Sequence, residues 1–167
     1  MMKITVIFIL AVFLSLFIYR YYSRTLNDNK YIAVVDGEGI TRQEYDKEVE
    51  RVKKFYLWSK QDYNRIASIS AQDILDHMIE DKIVAVYAKK KGIFVKPSET
   101  QERYNAIVGD NEKEYLEKLS AMYGTGKDDF LKKVEKDILS EKVQKLIGQS
   151  LKTWITEEKM NYKITIF

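Results

Sequence analysis

The 167-residue sequence lacks cysteine and contains a single histidine and a single proline. Without cysteine, the chain has no disulfide framework, no thiolate ligand for a metal and no cysteine nucleophile. One histidine, His77, is too few for a zinc site, and no Gly-x-Ser-x-Gly motif supports a serine nucleophile. We therefore predict no metal, no cofactor and no enzymatic activity.

An excess of charge of one sign is also missing. The chain has 28 Lys and Arg against 25 Asp and Glu, a formal net charge of +3. Acids and bases alternate along the chain, as in residues 46–51, whereas a nucleic-acid binder usually has a concentrated basic face. We therefore expect no nucleic-acid partner.

The glycines do not form a phosphate-binding loop. Gly37 and Gly39 are followed by no third glycine and no Lys-Ser/Thr pair. Asp36 and Glu38 beside them are paired carboxylates, which can serve in acid–base chemistry. A turn explains all four residues better, because Asp-Gly between two short apolar runs is typical of a β-hairpin.

One long hydrophobic run is present at the N-terminus. Residues 4–22 comprise 19 positions, and residues 4–19 carry no charge. At about 1.5 Å per residue the segment extends about 28 Å, close to the thickness of a bilayer core. Large side chains fill the zone where a signal peptidase needs small ones. We predict an uncleaved signal-anchor helix over residues 1–22, followed by a polar linker over residues 23–30.

The charges around this segment give a weak indication of orientation. Lys3 precedes it, whereas Arg20, Arg24 and Lys30 follow it. Counted literally, the positive-inside rule slightly favours a cytoplasmic position for residues 31–167.

Residues 31–167 are predicted to be mainly helical. Thr41 with Glu44 and Ser98 with Gln101 each read as a capping box, and Ser70 reads as a helix cap with Asp73 three residues later. Apolar residues at three- and four-residue spacing follow each of these starts. The alternating segment 162–167 reads as a strand, and residues 31–40 offer its partner. A small sheet joining an N-terminal hairpin to the C-terminal strand is therefore predicted.

The sequence is rich in side chains suited to varied apolar contacts, with 12 Tyr, 7 Phe, 2 Trp and 5 Met. Amphipathic rings and flexible thioethers bind apolar peptide while tolerating water. Ordinary core and boundary packing is the alternative for each of them. The predicted peptide-binding residues are Tyr56, Trp58, Tyr63, Tyr104, Tyr115, Met122 and Tyr123.

The order of motifs resembles the SurA N-terminal-type chaperone domain, a group that includes PrsA-like foldases and the chaperone portion of trigger factor. The resemblance spans residues 31–167 and depends on four segments: 32–45, 74–99, 126–139 and 162–167. It implies a helical cradle that binds unfolded polypeptide without ATP, on the extracytoplasmic side of a membrane. Many relatives carry a parvulin prolyl isomerase between the long helix and the final strand, and residues 146–151 leave no room for one.

The sequence thus predicts a membrane-anchored, ATP-independent chaperone for unfolded polypeptides, located in the periplasm or otherwise outside the cytoplasm. Homo-oligomerisation is left open. The alternative is a non-catalytic interaction or scaffold subunit of a membrane protein complex.

Overall fold

The computed structural model describes residues 30–59 and 70–167. Three short strands and six α-helices occur in this part of the chain. In chain order they are β1 (Tyr31–Val35), β2 (Glu38–Thr41), α1 (Arg42–Trp58), α2 (Ala71–Lys90), α3 (Pro97–Val108), α4 (Glu112–Tyr123), α5 (Lys127–Ile147), α6 (Leu151–Glu158), a 3₁₀ turn (Lys159–Asn161) and β3 (Ile164–Ile166).

The predicted hairpin is confirmed. Strands β1 and β2 pair antiparallel around Asp36 and Gly37, whose φ angles are 48° and 90°. Positive φ at both central residues is the condition for a type I′ turn, which matches the twist of the flanking strands. The Asp-Gly pair therefore fixes the register of the hairpin.

The predicted sheet between the two ends of the domain is also confirmed. Strand β3 pairs antiparallel with β1, and the strand order is β2-β1-β3. Asp36 reinforces the junction, because its Oδ1 accepts the Lys163 N–H at 2.8 Å and its Oδ2 accepts the Lys90 ammonium at 2.7 Å. One carboxylate thus holds the hairpin, α2 and β3 together.

Both major helix starts form as their sequences predict. The Thr41 hydroxyl accepts the Glu44 N–H at 3.1 Å, while Glu44 accepts the Thr41 N–H at 2.8 Å. Ser70 and Asp73 make the same reciprocal pair at the start of α2. Each cap satisfies amide groups that the first helical turn leaves without partners.

The predicted start of α3 is wrong by two residues. Ser98 was expected to cap the helix, but the cap position is Lys96 and Pro97 is the first helical residue. Glu99, the third helical residue, accepts the Lys96 N–H at 2.8 Å, which is the half of a capping box that needs no hydroxyl group. Proline suits this position, because its missing N–H is one that the first turn would leave unpaired anyway.

The main hydrophobic core lies between the sheet and α2. Helix α2 alone contributes six buried residues, and α6 adds Trp154 and Ile155. The indole of Trp154 meets the ring of Tyr87 edge-on, with centroids 4.7 Å apart. Burial of this apolar surface is the dominant favourable term in folding.

The second group of contacts forms away from the sheet. Helices α3 and α5 pack together, and α4 packs against α1. Neither α1 nor α4 contains a fully buried residue. These two helices therefore form a partly open layer on one side of the domain.

The predicted signal anchor and most of the predicted linker lie outside the described residues. Among the helices of residues 30–59 and 70–167, none is both long and apolar enough to cross a membrane.

Candidate peptide-binding surface

Four consecutive apolar residues end helix α1: Phe55, Tyr56, Leu57 and Trp58. Successive residues of an α-helix point about 100° apart, so such a run covers every side of the helix. At least part of it must then face away from the core. Leu57 is 66% exposed and Trp58 is 52% exposed.

The end of helix α4 completes this surface. The rings of Phe55 and Tyr123 are stacked, with centroids 5.1 Å apart and planes within 1° of parallel. Tyr56 meets Phe55 edge-on at 5.7 Å. We name residues 55–58 together with Met122 and Tyr123 the aromatic platform. Four of its six residues, Tyr56, Trp58, Met122 and Tyr123, belong to the set predicted from the sequence. Phe55 and Leu57 were missed.

Gly124 allows the two helix ends to meet. It ends α4 with φ of 67° and ψ of 24°, a left-handed conformation that glycine adopts without strain. A β-carbon at this position would lie 2.5 Å from the Lys54 Nζ atom of α1. The lysine side chain therefore lies over Gly124, where a cation is favourable beside the C-terminal end of a helix.

The predicted contact residues divide into two groups in the structure. Tyr56, Trp58, Met122 and Tyr123 lie at the adjacent ends of α1 and α4, which the Phe55–Tyr123 stacking joins. Tyr104 and Tyr115 instead pack against Phe130 of α5. Tyr63 lies outside the described residues.

Tyr104 is 1% exposed and is part of the interior. Its ring and that of Tyr115 both pack against Phe130, at centroid distances of 5.8 and 5.4 Å. The alternative of ordinary packing therefore describes Tyr104, and its ring offers no exposed face to a peptide. The sequence could not distinguish Tyr104 from the tyrosines of the platform. Each of them follows the same three- and four-residue spacing of apolar side chains along its helix.

A polar cluster fixes Tyr104 in place. Its hydroxyl donates to Glu112 Oε1 at 2.6 Å, and the Lys127 ammonium donates to the same oxygen at 2.6 Å. The Lys127 hydrogen bond, followed by that of Tyr104, holds the pKa of Glu112 below its usual value. Burial, followed by the Glu112 contact, raises the pKa of Tyr104. This cluster joins the starts of α4 and α5 to α3, so its role is structural.

The paired carboxylates Asp36 and Glu38, which were considered for acid–base chemistry, make structural ion pairs. The Lys90 hydrogen bond lowers the pKa of Asp36, and the Lys89 hydrogen bond lowers that of Glu38. A general acid near neutral pH needs the opposite shift. His77 is exposed on α2, and no group of three potential metal ligands occurs within residues 30–59 and 70–167.

Comparison with known proteins finds one family and one relative that the chain resembles. The family model described as the SurA-like N-terminal domain matches residues 1–144. The chain is similar to the foldase protein PrsA of Caldanaerobacter subterraneus subsp. tengcongensis, with 28% identity over 144 residues. That alignment covers 80% of this chain but 44% of the foldase, so the chain spans less than half the length of this relative. No parvulin catalytic domain is detected in the sequence.

Proposed function

Because the chain belongs to the SurA-like N-terminal domain family, we propose that it is an ATP-independent chaperone that binds unfolded polypeptide segments on its aromatic platform. The observation that carries this proposal is the exposure of Leu57 and Trp58 beside a stacked pair of rings. Large apolar side chains that are exposed together at one end of a helix, rather than singly, mark a candidate binding site.

The chemistry of the platform suits clients of varied sequence. Burial of apolar area is non-directional, so it does not require a particular side chain in the partner. Tryptophan and tyrosine also supply large contact areas while keeping a polar group available to water. Weak, sequence-tolerant binding is what a chaperone without a nucleotide cycle needs for release.

We further propose that residues 4–22 anchor the protein in a membrane and that the domain lies outside the cytoplasm. The uncharged run and its length support the anchor. Family membership supports the extracytoplasmic side, while the flanking charges lean weakly the other way. Tethering would raise the local concentration of the platform near polypeptides that emerge from the membrane.

A labelling experiment tests the orientation. The native chain has no cysteine, so Asp128→Cys, next to Lys127 on an exposed part of α5, provides a single thiol. A membrane-impermeant maleimide should label it in intact cells as fully as after permeabilisation. Labelling only after permeabilisation would place the domain in the cytoplasm.

An aggregation assay tests the chaperone function. The full chain, reconstituted in nanodiscs, should slow the aggregation of several unrelated denatured clients without ATP. The double variant Leu57→Ala/Trp58→Ala should lose most of this effect while its unfolding midpoint stays close to that of the wild type, because exposed side chains contribute little to stability.

Phe94→Ala is the matched control, since Phe94 is an exposed aromatic residue (67%) outside the platform. It should retain full activity. Equal losses in both variants would refute the assignment to the platform. No protection of any client, together with capture of one stoichiometric membrane partner, would favour the scaffold-subunit alternative.

A further inference from the structure

The aromatic platform has a charged border of one sign. The segments that contain and flank it, residues 53–59 and 119–126, include two lysines, Lys53 and Lys54, and no acidic residue. Both lysine side chains are exposed to solvent. A peptide lying on the platform therefore meets positive charge at the edge of the apolar surface.

On α1, the acidic residues nearest the platform are already paired. Glu48 accepts Arg51 at 2.7 Å, and Glu50 lies 3.2 Å from the Lys54 ammonium. On α4, Glu112 and Glu114 pair with Lys127 and Lys118. Glu117 makes no ion pair within the described residues, but it points about 120–140° around the helix from Met122 and Tyr123. Within the described residues, Lys53 has no ion-pair partner, so its charge is available to a ligand.

We propose that the platform selects polypeptide segments in which an aromatic or aliphatic centre is flanked by aspartate or glutamate. This inference rests on the proposed chaperone function and names the class of client. The apolar centre would cover Leu57 and Trp58, while a flanking carboxylate would approach Lys53. Complementary charge adds selectivity to a contact that is otherwise tolerant of sequence.

An acidic peptide fits this surface better than an anionic bilayer does. Membrane-binding basic segments usually contain about four to eight Lys or Arg residues. The platform offers only Lys53 and Lys54, of which Lys54 is shared with Glu50. Two cations suffice to bias a peptide that already binds through apolar contact.

The preference for acidic flanks is expected to be small, because both lysine side chains are exposed to solvent. A single exposed ion pair contributes little, and salt screens it over about 10 Å at 0.1 M ionic strength. We therefore expect a peptide with acidic flanks to bind about two- to fivefold more tightly than a neutral one in low salt.

The experiment uses the full chain in nanodiscs of zwitterionic lipid and three fluorescent peptides. The peptides share one apolar centre and carry Glu, Ser or Lys flanks. Fluorescence anisotropy should give the order Glu, Ser, Lys from tightest to weakest at about 0.05 M salt, and nearly equal affinities at about 0.5 M. Lys53→Gln should reduce the preference for Glu over Ser at least twofold.

Lys152→Gln is the matched control, since it removes an equal charge from an exposed position on α6, which packs against α2 and α5 rather than α1. It should leave the preference unchanged. Equal binding of all three peptides would overturn this inference while leaving the chaperone proposal intact, whereas no binding of any peptide would count against the chaperone proposal itself.

Vesicles that contain anionic lipid provide the last test. Lys53-dependent binding to them, without any advantage for the Glu peptide, would assign the lysines to a lipid surface and also overturn the inference.

Discussion

At the scale of single residues, Gly124 and Gly148 end their helices in nearly the same backbone conformation, with φ of 67° and 70°. Their surroundings differ. A β-carbon at Gly148 would meet nothing within 4 Å, whereas one at Gly124 would collide with the side chain of Lys54. Alanine substitutions at these two glycines therefore separate two contributions to the free energy of unfolding. One is the strain of a left-handed backbone, and the other is the displacement of the Lys54 side chain.

We expect Gly148→Ala to lower the free energy of unfolding by about 1 kcal/mol, because a left-handed conformation strains a residue with a β-carbon. Gly124→Ala should cost more, since the Lys54 ammonium must also leave its place at the end of α4. Urea denaturation of both variants measures the difference.

The control is the same pair of substitutions in a Lys54→Ala background. There the two alanine substitutions should cost equal amounts, to within about 0.5 kcal/mol. If Gly124→Ala remains the more costly substitution without Lys54, the contact between α1 and α4 does not depend on this lysine.

At the scale of elements, α6 has eight residues, too few to be stable as an isolated helix. It is held by burying Trp154 and Ile155 against the main core. Trp154→Ala should therefore lower the free energy of unfolding by about 3–5 kcal/mol, the usual cost of emptying a large buried aromatic site.

Met160 provides the comparison, because it follows α6 closely but is 92% exposed. Met160→Ala should change the free energy of unfolding by less than about 0.5 kcal/mol. Chemical denaturation followed by far-ultraviolet circular dichroism measures both. A cost below about 1 kcal/mol for Trp154→Ala would mean that α6 is dispensable for the core.

Local chemistry explains which elements could be predicted from the sequence. Capping boxes at Thr41 and Ser70 and the Asp-Gly turn each act within four residues, so their patterns specify the backbone directly. The start of α3 was predicted wrongly because two overlapping cap patterns compete there, and Pro97 together with Glu99 favours the earlier one. The rings of the proposed platform could be predicted only in part, because helical spacing cannot tell a buried ring such as Tyr104 from a half-buried one such as Tyr56.

At the scale of the whole molecule, burial is distributed unevenly. Strand β1 and helix α2 contain fully buried residues with near-zero exposure, whereas α1 and α4 contain none. Elements with few buried apolar contacts open more readily than the core. The proposed peptide-binding layer is therefore expected to open more readily than the core formed by β1 and α2.

Hydrogen exchange should reveal this difference. Amides of α2 and β1 should be the most protected, and those in the middle of α1 and α4 should exchange considerably faster at the same pH. An acidic-flanked peptide should slow exchange in α1 and α4 while leaving α2 unchanged. Uniform protection across all four elements would show that the domain opens only as a single unit.

The pairing of β1 with β3 also has a consequence for biosynthesis. Lys163 and Asp36, joined by a hydrogen bond, are separated by 127 positions in the chain. A ribosome adds about 5–20 residues per second, so the central strand waits several seconds for its second neighbour. Until then the β1 edge and the apolar face of α2 remain uncovered in the nascent chain. A protein proposed to protect others from aggregation must therefore itself pass through an aggregation-prone stage before its own sheet closes.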